Sequence, residues 1–371
     1  MSKKNVVVVG GGGAGAIVSR ELSGKLDHSK HNLTLITAHP FIVFFPAMVR
    51  TTTTAEGKLE DQALIPQDKL FLNGKGTLRI GRVVSVEDKG KGGEVVLADG
   101  SRVPYDVLVL TPGSLWSGPL DLPDSKEDVI EHINAWRKKF ASANNIVLVG
   151  GGAVGIEFAG EIKQFLPKKK VTIVQSEAQL LNDSYPSKFR KAIEKDTRAV
   201  GTEIVFNDFV DNFEKLPVTT RSGKTIDADL VVPTIGGRPA TEFIKSLGAD
   251  VLNARGQVRV APTLEVRGLK GVFAAGDAIE WKEQKQLAKY AAHSAVVVAN
   301  VLSYLGGGTP SKEYKGSPEL ILITNGTKRG LAYVGMLWGI TLGNWFASMM
   351  KGKSLLLDQA WKGYGYAAQP K

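Results

Sequence analysis

The chain has 371 residues, 43% of them hydrophobic, with 47 Lys and Arg against 37 Asp and Glu, a net charge of +10 and no cysteine. That length exceeds one ordinary single-core domain and predicts two or three domains. The missing thiols exclude disulfides, thiolate catalysis, Cys-ligated zinc and Cys-ligated iron–sulfur clusters, and five histidines without HxxxH or HxH spacing predict no metal site, so redox chemistry here needs a bound organic cofactor.

Along the chain, Val6 to Val9 is a β-branched run that stops at Gly10, and Ala14 to Leu26 carries a helical apolar pattern, which together predict strand, turn and helix. The basic start before this run superficially resembles a secretory leader, but a buried strand entering a glycine turn accounts for it better, and no secretion is expected. In that setting Gly10-x-Gly12-x-x-Gly15 is a dinucleotide fingerprint. The first glycine permits the tight turn, the second lets backbone N–H groups approach a pyrophosphate, and the third lets the helix pack on the strand. The second strand, Leu33 to Ile36, ends at Thr37, where this type of unit usually carries a ribose-binding carboxylate. Leu78 to Val86, Glu94 to Ala98 and Val103 to Leu110 read as further strands, the last ending at Thr111-Pro-Gly113.

The same grammar returns 140 residues later in Ile146 to Val149, Gly150-x-Gly152-x-x-Gly155 and a helix from Ile156 to Phe165, so two dinucleotides are expected. Its second strand, Val171 to Val174, ends at Gln175; with no carboxylate there a 2′-phosphate is not repelled, and NADPH should be accepted beside NADH. Thr202 to Phe206, Val218 to Arg221 and Asp229 to Thr234 repeat the strand order, closing on Thr234-Ile-Gly-Gly-Arg-Pro239. Gly271-Val-Phe-Ala-Ala-Gly-Asp277 then delivers a carboxylate to the start of a helix, placed to accept hydrogen bonds from the ribityl chain of FAD and to cap that helix.

Gly306 to Pro310 reads as a linker into a separate segment. Residues 281–371 carry 11 Lys and Arg against 4 Asp and Glu, a charge that suits anionic lipid, nucleic acid or a phosphorylated cofactor alike. Leu331 to Met350 is free of charge and just long enough to span a bilayer, yet its glycines and polar residues predict a strand and a short helix instead. The expected fold class is α/β: two Rossmann-like dinucleotide-binding domains plus a small C-terminal α+β segment. Residues 1–115 and 241–305 are expected to form an FAD-binding domain in two parts, 116–240 the NAD(P)H-binding domain and 306–371 the separate C-terminal segment.

The order of these motifs resembles the two-dinucleotide flavoprotein superfamily over residues 3–300. The helix around Glu157 and Glu161, the strand Val171 to Ser176, the helix His293 to Asn300 and the tail Lys351 to Lys362 resemble its ferroptosis suppressor branch, the apoptosis-inducing-factor-like proteins related to type II NADH dehydrogenases. The resemblance implies FAD-dependent NAD(P)H:quinone oxidoreduction at a membrane surface, with 306–371 as the quinone- and membrane-facing segment and 6-hydroxy-FAD as a form the flavin takes in this branch. By position it implies FAD contacts at Gly10, Gly11, Gly12, Gly13, Ala14, Gly15, Arg50, Val83, Thr111, Gly113 and Asp277. NAD(P)H contacts fall at Gly150, Gly152, Gly155, Glu157, Gln175 and Gly236, and Lys351 matches a lysine near the flavin. Three departures stand out: Ser2 replaces the glycine that N-myristoylation needs, Thr37 lacks the carboxylate, and Lys289-Tyr290 stands where the family is more apolar.

On this reading hydride passes from NAD(P)H to flavin N5, and the reduced flavin serves a diffusible quinone whose tail lies among Trp338, Trp345, Phe346 and Met349. Lys351 is the first candidate to supply proton or counter-charge, and His293 the second. The expected location is intracellular, cytosolic or mitochondrion-associated, peripheral on membranes. Three alternatives stay open: a reductase of a ferredoxin- or rubredoxin-like protein, a cell-death effector that binds nucleic acid with a structural flavin, and an aromatic C-terminal stretch that serves as core or homodimer interface. Only net charge supports the nucleic-acid alternative, so such a partner is not expected.

Overall fold

The structure, a computed structural model, describes residues 2–336 and 339–370. Among the described residues the α-helices are α1 (Gly13–Lys25), α2 (Phe45–Thr53), α3 (Glu60–Ala63), α4 (Lys126–Ser142), α5 (Ala153–Phe165), α6 (Ser187–Ala199), α7 (Tyr290–Leu305), α8 (Asn344–Ala347) and α9 (Leu357–Gly363).

Two parallel sheets organise the molecule. In the first, strands lie in the order Val272–Ala274, Val107–Leu110, Lys4–Val9, His31–Thr37 and Thr77–Ile80. The second runs Thr202–Val205, Lys170–Val174, Asn145–Val149 and Leu230–Pro233. Central strands such as Val107–Leu110 are buried on both faces, as helix-covered parallel sheets require, hence their unbroken apolar runs. In each sheet the first strand of the unit sits between its second strand and a later one. That makes the carboxyl end of Val9 and of Val149 a topological switch point, where ligands bind in such sheets.

Two expected strands are each broken in two. Leu78 to Val86 divides into Thr77–Ile80, in the first sheet, and Val83–Asp88, in a separate antiparallel sheet with Gly93–Leu97 and Arg102–Tyr105. Val103 to Leu110 divides at Asp106, whose N–H donates to Asn5 O and whose carboxylate accepts Asn5 N–H at 2.6 Å, so the chain changes sheets there. An apolar run shows that strand conformation is favoured, not which sheet takes it.

A two-stranded ribbon, Ser114–Leu115 against Arg238–Pro239, joins the two units. The C-terminal segment is a three-stranded antiparallel sheet of Leu320–Asn325, Arg329–Val334 and Ile340–Leu342, followed by α8, a π-helical turn at Ser348–Gly352, and α9. Among the described residues no helix is long and apolar enough to cross a membrane. The tail returns to the first unit: Trp361 Nε1 donates to Gln62 O at 2.8 Å, and the Tyr366 hydroxyl bonds Asp68.

Candidate dinucleotide and acceptor site

The two glycine loops repeat one construction. Gly10 has φ +105°, and a Cβ there would lie 2.1 Å from Thr111 O; a Cβ on Gly15 would lie 1.8 Å from Gly10 O. Both are glycine because backbone fills the space. Gly12 differs, since a Cβ there would meet nothing within 4 Å, and as the N-cap of α1 it leaves the helix's first N–H groups without a side-chain cap. Uncapped N–H groups facing open space suit an anion. The second loop matches: Gly150 has φ +119°, a Cβ on Gly155 would lie 2.0 Å from Gly150 O, and Gly152 faces open space at the uncapped start of α5. The residues therefore fit two dinucleotide pyrophosphates.

Threonine hydroxyls brace both loops. Thr111 Oγ1 donates to Val9 O and Gly10 O, each at 2.9 Å, while Thr234 Oγ1 donates to Val149 O at 3.0 Å and Gly150 O at 2.8 Å. Thr111 thus supports the loop from behind. Its counterpart Thr234 was not among the expected site residues, although the parallel Thr-Pro-Gly and Thr-Ile-Gly segments signalled it.

At the two strand ends, glutamines take up the loop backbone. Gln175 accepts Gly151 N–H at 2.8 Å and donates to Gln179 O at 3.1 Å. Near Thr37, Gln67 Nε2 donates to Gly11 O at 2.8 Å, a contact that no motif signals. Gly81 N–H donates to Thr37 O, which brings Val83 within two residues of that strand end. Gly13 lies against Leu287 and Tyr290, and Gly113 and Gly236 face open space beside the inter-unit ribbon. Asp277 does not start or cap a helix as expected but sits in a short 3-10 turn behind Ala14, because its carboxylate is taken up elsewhere, accepting the Tyr290 hydroxyl at 2.7 Å and the Ser114 hydroxyl at 3.3 Å. Burial still pushes that carboxyl above the ordinary Asp range, against the lowering effect of the Tyr290 bond.

A buried ionic cluster joins three parts of the chain on one face of α5. Glu157 and Glu161 are four residues apart, one helical turn. Lys351 Nζ lies 2.5 Å from Glu157 Oε1, which also accepts Thr324 N–H at 3.0 Å and Thr324 Oγ1–H at 3.2 Å. Arg50, on α2, grips Glu161 through Nε (2.8 Å) and Nη2 (2.9 Å) and donates to Gly352 O at 2.8 Å. Desolvation raises the Glu161 carboxyl despite Arg50. The structure thus brings together Arg50, Glu157 and Lys351, three residues expected at the site, and adds Glu161, whose partner no motif identified. Lys351 owes its position to the π-helical turn, which carries it to 8% exposure just after the exposed Met349 and Met350.

His293 is placed differently. It is 1% exposed; its Nε2 meets Glu283 Oε1 at 2.9 Å, and its Nδ1 accepts Gly276 N–H at 3.1 Å. With both ring nitrogens engaged by protein, it has no hydrogen-bonding position left for an acceptor substrate, which speaks against the proton-donor role expected for it. The Lys289-Tyr290 departure also acquires partners, Lys289 bonding Glu319 at 2.7 Å while Tyr290 holds Asp277. Of the expected quinone-tail residues, Trp345 is 76% exposed and Met349 is exposed, whereas Trp338 lies outside the described residues.

Two glycine-loop units joined by an antiparallel ribbon, with an acidic turn between the first loop and α7, define a two-dinucleotide oxidoreductase fold. The chain belongs to the pyridine nucleotide-disulphide oxidoreductase family, which it matches over residues 4–295. Without a cysteine it has no disulfide chemistry of its own, and it is a flavin oxidoreductase of that family. It is 49% identical over 304 residues to the FAD-dependent oxidoreductase FVFD30 of Flammulina velutipes, covering 81% of this chain and 94% of the relative. It is 25% identical over 369 residues to ferroptosis suppressor protein 1 of Mus musculus, covering 96% and 95%. Among solved structures, the sulfide:quinone oxidoreductase of Aquifex aeolicus superposes with a TM-score of 0.80 at 18% identity, over 97% of this chain and 92% of that one, a likeness of fold.

Proposed function

We propose that this chain is an FAD-dependent NAD(P)H:quinone oxidoreductase working at a membrane surface, where it reduces a ubiquinone-like quinone to quinol in a lipid-antioxidant role. The observation that carries the reading is the Glu157–Lys351 pair, which fastens the exposed apolar stretch containing Trp345, Met349 and Met350 to the first turns of the second glycine-loop helix. The names of the ferroptosis suppressor relative and the quinone-reducing fold neighbour support the same direction.

The loop Gly10–Gly15, with Gly113 and Asp277, would hold FAD; Gly150, Gly152, Gly155 and Gly236 would hold NAD(P)H. Bound FAD supplies a two-electron carrier between pyridine nucleotide and acceptor. The chain's own contribution is orientation and charge. Thr111 and Thr234 keep the loops in shape, and Arg50 locks α2 against α5 and Gly352. Lys351 holds a positive charge that stabilises negative charge developing on the quinone oxygen. Ile340, Trp345 and Met349 offer apolar surface to acyl chains, and the exposed Lys353 suits anionic headgroups. Gln175 is a neutral residue at the strand end, its amide spent on Gly151 and Gln179, so position 175 sets no carboxylate against a 2′-phosphate and NADPH serves beside NADH.

The test is an anaerobic absorbance titration of purified protein. Flavin absorbance bleached by NADH or NADPH and restored by a short-chain ubiquinone is the expected result. Restoration by a ferredoxin-like protein alone would replace the quinone reading, and protein without flavin would remove the assignment of both loops.

A further inference from the structure

His293 lies at the centre of a chain of hydrogen bonds that the quinone chemistry does not use. Its Nδ1 accepts the N–H of Gly276, so that nitrogen carries a lone pair and the ring proton sits on Nε2, donated to Glu283 Oε1. Glu283 is held in turn: its Oε2 accepts the Tyr314 hydroxyl at 2.6 Å, and that hydroxyl meets Ser317 Oγ at 2.9 Å. The Tyr314 ring packs edge-on to the imidazole with centroids 4.5 Å apart, and Lys289 Nζ stands 3.9 Å from Glu283 Oε2. The imidazole and the Glu283 carboxylate are both about 2% exposed, so water does not compete for these bonds.

At the other end, Gly276 has φ +79°, and a Cβ on it would lie 2.9 Å from Cβ of Ala14 in the first glycine loop. The turn carrying Asp277 is therefore packed against the loop on one side and fixed by His293 on the other. Tyr314 comes from beyond the 306–310 linker, so the C-terminal segment reaches the dinucleotide turn through this chain.

We propose that His293 is the positioning residue of the Asp277 turn, its tautomer set by Glu283 and Tyr314 so that Nδ1 pins Gly276 N–H and presents the Asp277 carboxylate to the ribityl hydroxyls of FAD in one orientation. This rests on the reading of Asp277 as an FAD ligand. It gives the histidine a part in cofactor retention and none in proton delivery.

The experiment titrates apo-protein with FAD by flavin fluorescence, for wild type, His293→Leu, His293→Asn and Tyr314→Phe. Leucine removes the acceptor, whereas asparagine Oδ1 can stand where Nδ1 stood. His293→Leu is expected to weaken FAD binding about tenfold or more, His293→Asn to stay within about threefold of wild type, and Tyr314→Phe to fall between them. Leucine binding FAD as tightly as histidine, or asparagine binding as weakly as leucine, overturns the proposal. Should the leucine variant not fold, 15N shifts of the wild-type imidazole at neutral pH decide instead: a proton on Nε2 alone supports the assignment, and a proton on Nδ1 overturns it. A wild-type protein that takes up no FAD overturns the cofactor reading itself, and the proposal with it.

Discussion

Replacing Lys351 by methionine keeps a long side chain and removes one charge from a closed environment. Both side chains of the Glu157–Lys351 pair are about one-tenth exposed, and Glu157 Oε1 also takes two bonds from Thr324. Taking one partner from a buried pair costs about 3–5 kcal/mol, and the remaining Thr324 donors place this site near the lower figure of about 3. Removing both charges leaves nothing unpaired, so the double variant Glu157→Gln/Lys351→Met should recover most of that loss. In turnover, loss of a fixed positive charge that meets developing negative charge costs roughly 100- to 1000-fold. Chemical denaturation of the four proteins of the cycle reads the first effect. Stopped-flow reads the second, following NADH with the oxidised protein and short-chain quinone with the reduced protein. In Lys351→Met the nucleotide half-reaction should change by less than about threefold while the quinone half-reaction falls by about 100-fold or more. A quinone step within about twofold of wild type would refute the role given to Lys351. A double variant whose loss of stability is the sum of the two single losses would refute the pairing itself.

The glycine loops predict a contrast in which Gly12→Ala and Gly152→Ala keep the fold, at about 1 kcal/mol of helix capping, while weakening FAD and NAD(P)H binding respectively; Gly15→Ala, with Gly10 O at 1.8 Å, should fail to accumulate as folded protein. Equal effects of Gly12→Ala and Gly15→Ala on thermal stability would count against the open cradle. For Asp277 the sign follows from its raised carboxyl pKa: the folded chain binds that proton more readily than the unfolded chain, so its contribution to stability is greatest at low pH and declines as pH rises from the unfolded value through the folded one. Asp277→Asn should therefore make the apo-protein more heat-stable at pH 7 while lowering its FAD content, and a melt that is no higher than wild type's would contradict the burial argument. Trp345→Ser with Met349→Ser removes two exposed apolar side chains, each contributing about 1.5–3 kcal/mol when buried, so co-sedimentation with anionic liposomes should fall at least about 100-fold with water-soluble quinone turnover unchanged. Undiminished liposome binding would move the docking face elsewhere.

Much of the molecule was legible before its structure. Gly10 and Gly15, like Gly150 and Gly155, are dictated by contacts within their own strand–turn–helix unit and by one neighbouring strand, and so the spacing alone locates both cradles. Asp277 was readable as a carboxylate delivered by a short strand, but the helix expected to begin there is a three-residue 3-10 turn that its side chain does not cap. Thr37 and Gln175 marked strand ends correctly, but their sequence positions carried no hint that Gln67 and Gln175 would take up the loop backbone.

The acceptor side belongs to tertiary structure. Lys351 meets a glutamate 194 positions away, Arg50 one 111 positions away and a carbonyl 302 positions away, and nothing local specifies such pairs. Lys351 could equally have been an exposed helix-end lysine; what buries it is a π-helical turn packed where α2, α5 and the C-terminal sheet converge. His293 shows the converse, a residue suited by type to proton transfer that the fold encloses between Gly276 and Glu283. Backbone conformation is encoded residue by residue through the presence or absence of a Cβ. The partner of a charge depends on which surfaces pack together, and that is decided only when the whole chain has folded.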